Sequence, residues 1–204
     1  MNVGNHARTL RAAGLLLLAC GMLSGCLSTK MYVDPVLPQV SKADIPVVPH
    51  PRPVQVLFEF QTKGNANASA TGEIKPRVLA VAEQSGLFSS VSDTPANGEA
   101  GILKISINNV PVDKNAAAKG FGTGLTFGLA GTMVTDGYVC TASYSYGGHT
   151  TETTVKHAIY TTIGNHAAPQ GLTPLQPADA VHQVADQLTW NALKQLADKQ
   201  AFNQ

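Results

Sequence analysis

Charge is scarce in this chain. Asp, Glu, Lys and Arg make up 13% of the 204 residues, 14 basic against 13 acidic. So even a balance leaves no electrostatic footprint for nucleic acid, whose phosphates are met by clustered Lys and Arg. Cysteine is scarce too, limited to Cys20, Cys26 and Cys140. The first two belong to an apolar N-terminal stretch, so the body has a single thiol. One thiol makes no internal disulfide and offers no Cys pair to a metal. The six histidines, His6, His50, His149, His157, His166 and His182, form no H-x-x-x-H pattern. There is no G-x-S-x-G elbow for a nucleophilic serine and no Gly-Lys-Ser/Thr phosphate loop. No catalytic constellation, metal site or cofactor is therefore expected. A dispersed triad would escape this reading, because such triads assemble from distant residues.

What the chain does have begins at its N-terminus. Arg8 and Arg11 make a positive region without an acid nearby, and Ala12 to Met22 is apolar. This run is shorter than the roughly 20 residues that a spanning helix needs. Leu23-Ser24-Gly25-Cys26 follows and has the pattern of a lipobox. Residues 1–25 are thus expected to be a lipoprotein signal peptide, cut between Gly25 and Cys26 and leaving Cys26 lipidated. Leu17-Leu18-Ala19-Cys20 is a weaker second candidate, with bulky Leu18 near the cut. Removing 1–25 takes away Arg8 and Arg11 and no acid, so 12 basic and 13 acidic residues remain, a balance of −1. Two or three acyl chains anchor stably where one is marginal.

Residues 26–53 are expected to form the lipidated Cys and a proline-rich tether. Pro35, Pro38, Pro46, Pro49, Pro51 and Pro53 favour extended polyproline II over a packed core. Fully extended, such a tether would reach on the order of 80 Å.

The body, 54–204, alternates between two periodicities. Val54, Val56, Phe58 and Phe60 recur every second residue and predict a strand over 54–62. A small-residue loop is expected from Gly64 to Gly72. A helix follows with Pro76 in its first turn, Val78, Leu79, Val81 and Ala82 inside, and Gly86 as its stop. Phe88 to Val91 reads as a short edge strand. Ile102 to Val110 reads as a strand, with Leu103, Ile105 and Ile107 on one face. Tyr138 to Tyr146 and Thr151 to Ile163 read as a hairpin across Gly147-Gly148. Val155, His157, Ile159 and Ile163 share one face of its second strand, and Glu152, Lys156 and Tyr160 the other. Ala178 to Phe202 has helical spacing, with Val181, Val184, Ala185, Leu188, Ala192 and Leu196 on one stripe. Trp190 lies off that stripe. The fold class is therefore α+β: a mixed four-stranded sheet in the order β-α-β-insert-β-β-α, with two helices packed on it. His157 and Cys140 are expected to be buried structural residues.

The insert, 115–137, has no charge from Gly120 to Thr135. Ala116, Gly120, Gly124, Gly128 and Thr132 are four apart, the spacing of a small-residue zipper. Three readings stand beside one another: a glycine-rich loop, a packing helix in self-association or membrane contact, and a β-hairpin. As a helix the five glycines of the uncharged run 120–135 would cost roughly 4–5 kcal/mol against alanine in water. Sixteen helical residues would span only about 24 Å.

These features together resemble the YajG-like lipoproteins, and more loosely the periplasmic α+β domains of TolB N-terminal and CsgG-like type. The residues concerned are the lipobox at Cys26, Ser85-Gly86-Leu87-Phe88, the strand Ile102 to Val110, the hairpin at Gly147-Gly148 and the helix from Asp179. The resemblance implies an outer-membrane lipoprotein facing the periplasm, and Leu27 (rather than Asp) after Cys26 agrees with that sorting. It implies location more than activity. The expected function is a non-enzymatic envelope interaction or accessory module. Its partners would be the membrane through its lipid, and an envelope protein or a second copy. A small-molecule or cell-wall glycan site near Tyr144, Tyr146 and Trp190 is the first alternative. A hydrolase built from dispersed residues around His157 or His149 is the second.

Overall fold

Period-2 alternation of apolar residues builds one sheet, and two amphipathic helices cover one of its faces. The computed structural model describes residues 29–95, 100–112, 134–163 and 171–203. Its strands are β1 (Thr29–Val33), β2 (Arg52–Thr62), β3 (Asn65–Ala66), β4 (Phe88–Ser92), β5 (Gly101–Pro111), β6 (Val134–Tyr146) and β7 (His149–Ile163). The helices are α1 (Ala68–Ser85) and α2 (Pro177–Asp198). Among the described residues the sheet has seven strands, not the four expected, in the order β1-β7-β6-β5-β2-β3, with β4 also on β2. β2 pairs in parallel with β5 and β4, and every other pairing is antiparallel. The α+β class with two helices on a mixed sheet holds.

The largest correction concerns the tether. Its described part, 29–53, is built into the domain. β1 pairs with β7 from Thr29↔Ile163 to Val33↔Ile159. Tyr32, Ile45 and Val48 are buried, and Asn191 Nδ2 donates to the Pro38 carbonyl at 2.9 Å. Six prolines did not prevent this: five lie outside the strands, and Pro53 stands at the start of β2 beside a register shift, where proline is tolerated. The lipobox, with Gly25 and Cys26, and the zipper positions Ala116, Gly120, Gly124, Gly128 and Thr132 lie outside the described residues.

The start of α1 is a second correction. Lys63 (φ 52°) and Gly64 (φ 80°) make a tight turn into β3, and the helix begins at Ala68. Asn67 caps it, its side chain accepting from the Ala70 N–H at 3.0 Å. Pro76 is therefore mid-helix. It cannot donate to the carbonyl of Gly72, four residues earlier, and a longer run of helix on both sides outweighs that one lost bond. Gly86 ends the helix in the left-handed region (φ 72°), as expected. Leu87 then turns into the core, where it is buried.

Leu103, Ile105 and Ile107 of β5 face the helices, with Tyr138, Cys140, Ala142 and Tyr144 of β6 and Val155, His157 and Ile159 of β7. From α2, Val184, Ala185, Leu188, Ala192 and Leu196 meet them. β7 departs from simple alternation at its end. Tyr160, expected on the polar face, is buried there beside its register partner Tyr32, whereas Ile163 is exposed. The Tyr160 hydroxyl donates to Asp34 Oδ2, and Asp34 is buried as well. The β6–β7 hairpin turns at Gly147 (φ 56°) and Gly148 (φ 80°), the two positive values a two-residue turn of this kind requires. Among the described residues, no helix is long and apolar enough to cross a membrane.

Candidate functional site

The outer surface of α2 carries a second stripe. Asp179, His182, Gln183, Asp186, Gln187 and Trp190 follow one another at helical spacing, opposite the buried apolar face. Together with Gln39, Val40 and Arg77 they line a cleft of about 440 Å³. Arg77 of α1 reaches across to Asp186. Its Nε donates to Oδ1 at 3.0 Å and a terminal nitrogen donates to Oδ2, making a two-point ion pair between the helices. His182 Nε2 lies 3.0 Å from Glu73 Oε1, a second link across the same helix pair.

A smaller cleft of about 260 Å³ adjoins the first. It shares Gln39, Gln183 and Gln187, and adds Asp34 and Leu175 among others. His157 lies beneath Gln187, with Nε2 in hydrogen bond to its Oε1. Among the described residues no partner reaches His157 Nδ1. Burial pushes the His157 pKa down, against smaller upward effects from the Gln187 hydrogen bond and the Asp34 charge. The imidazole is thus buried and hydrogen-bonded, as the sequence suggested, and its burial favours the neutral form. Neither cleft has a described serine or cysteine in its lining. Cys140 is fully buried, and desolvation pushes its thiol up to about 12. Among the described residues, no group of three His, Cys, Asp or Glu side chains could hold a metal ion.

The aromatic trio expected at one binding site divides between two places. Tyr144 is buried at the hairpin end, packed on Phe202 at 4.8 Å and Phe88 at 6.2 Å. The Arg52 guanidinium lies over the Tyr146 ring at 4.3 Å and donates to its hydroxyl at 2.9 Å. Trp190 lines the α2 cleft instead. The polar stripe on α2 was present in the sequence as an i, i+3, i+4, i+7 series, but polar helix faces are ordinarily just solvated. Arg77, brought from α1, and Gln39 and Val40 from the N-terminal segment turn it into a cleft.

No family model matches the chain, and no curated protein matches it. Among solved structures it is similar to a PelC dodecamer variant from Paraburkholderia phytofirmans, at 12% identity over 83% of this chain and 96% of that one, TM-score 0.34. It is similar to a minor lipoprotein from Acinetobacter baumannii, at 13% identity over 78% and 92%, TM-score 0.34. It is also similar to the rare lipoprotein B from Shewanella oneidensis, at 10% identity over 71% and 96%, TM-score 0.35. Structures bearing lipoprotein names are thus among those it loosely resembles.

Proposed function

We propose that this chain is a lipid-anchored outer-membrane lipoprotein facing the periplasm, whose domain is a non-enzymatic interaction module. The observation that carries the proposal is Leu23-Ser24-Gly25-Cys26 behind a short basic and apolar leader. Lipid on Cys26 supplies the anchor, and Leu27 in place of Asp favours the outer membrane. The module's contact surface is the α2 cleft, where Trp190 and the Arg77–Asp186 pair sit among partly exposed polar side chains. Aromatic and Arg side chains are common anchors of protein interfaces. Self-association through Ala116, Gly120, Gly124, Gly128 and Thr132 belongs to the same proposal.

Palmitate labelling of the expressed protein, with Cys26→Ala as control, tests the anchor. Label lost in the variant supports it, and label retained points to Cys20 or to another modification. Deleting 116–134 and measuring size in detergent tests self-association, which an unchanged size would remove. A second reading, a module for a small polar ligand or glycan, draws on Trp190 beside Arg77 in one cleft. Trp190→Ala would abolish glycan retention on that reading.

A further inference from the structure

Strand ends gather at one end of the sheet. Register sets Thr29 opposite Ile163, Val134 opposite Thr161, Pro111 opposite Asp136, and Thr62 opposite Asn109. The tight turn at Gly147-Gly148 lies at the other end of β7. With 15 residues in that strand, the two ends are on the order of 50 Å apart.

Thr29 is the third residue after Cys26. Three residues span about 11 Å at most, however extended. The polar layer of a bilayer is itself roughly 5–8 Å deep on each side. A lipid on Cys26 thus leaves almost no distance between the first strand and the headgroups. We infer that the sheet end bearing Thr29, Lys30 and Ile163 rests directly on the bilayer, so that the domain stands upright on the membrane with the 147–148 turn pointing away from it. This inference rests on lipidation at Cys26.

The residues at that corner suit the contact. Ile163 is an exposed large apolar side chain, 44% accessible. Lys30, in register with Thr162 one position along the β1–β7 ladder, is exposed, and its long stem can lie along lipid while its ammonium meets anionic headgroups. Asp136, the acid on the last register pair of β5 and β6, is half-buried, and its burial favours the neutral carboxyl.

The test uses the full lipidated protein in vesicles of phosphatidylethanolamine and phosphatidylglycerol that carry a headgroup-depth quencher. A fluorescent probe is attached at Lys30→Cys, Ile163→Cys or His149→Cys, one at a time. Cys140 is buried and Cys26 is blocked by its thioether, so labelling is specific. Two sites at the proposed contact guard against one variant that fails to fold. The expected result is loss of emission at 30 and 163 with none at 149. Protein that floats with the vesicles but keeps full emission at 30 and 163, or is quenched equally at 149, overturns the orientation and leaves the anchor standing. Protein that does not float overturns both.

Discussion

Gly101 and Tyr144 fill the same space. A Cβ built on Gly101 would fall well inside van der Waals contact with the Tyr144 Oη, Cε2 and Cζ. The ring cannot easily yield, because Phe202 packs edge-on against it and Phe88 lies on another side. Gly101→Ala should therefore destabilise the domain by about 1–3 kcal/mol, the usual range for overpacking a filled site. Chemical denaturation would measure it. Pairing the change with Tyr144→Phe, which removes the crowding hydroxyl, should recover part of the loss.

His157 makes stability depend on pH. Its folded pKa lies below the ordinary value of 6.5 because it is buried. In the window between the two values the unfolded chain binds more protons than the folded one. Stability is then fully present above about 6.5 and falls as pH drops through the folded pKa. Thermal melts across that window should show this slope, and His157→Gln should flatten it.

Cys140 should not react. With a thiol pushed up to about 12 and no exposed surface, little thiolate forms at pH 8 and no reagent reaches it. Iodoacetamide should modify it only after urea is added. Mass spectrometry of native and denatured samples decides the matter, and prompt native alkylation would mean that the hairpin opens readily.

The Arg77–Asp186 pair should contribute modestly. Both side chains are about one-third exposed, at 39% and 30%, so solvent screens the pair despite its two-point geometry. A double-mutant cycle with Arg77→Ala and Asp186→Ala should give a coupling of roughly 0.5–1 kcal/mol, weakening with salt. A much larger value would mean that the pair also fixes how α1 and α2 pack.

Most of the fold was legible because its signals are local. Alternation located β2, β5, β6 and β7, two glycines located the hairpin turn, and an apolar stripe located α2. What was missed depends on long-range pairing. Thr29–Val33 is a short strand supported by β7 and by a bridge from Met31 to Leu175, both more than a hundred residues later. Proline content suggested a free tether, although Tyr32, Ile45 and Val48 were the apolar residues that bind it to the core. Tyr160 looked outward by alternation, and Tyr32 of that unseen strand, with Asp34 just after it, accompanies its burial. The α2 cleft was legible in half: its polar stripe is in the sequence, and its opposite wall at Arg77 comes from another helix.

The Thr29–Ile163 pairing also sets an order of events. A chain made N-terminus first presents residues 29–33 long before residue 163 has emerged. The edge of the sheet cannot close until then, so β1 must wait unpaired while the rest of the chain arrives. In that interval its bare backbone is open to any other strand within reach. Closure of this edge is thus timed by the C-terminal third, and a chain truncated before β7 would leave β1 without its partner strand.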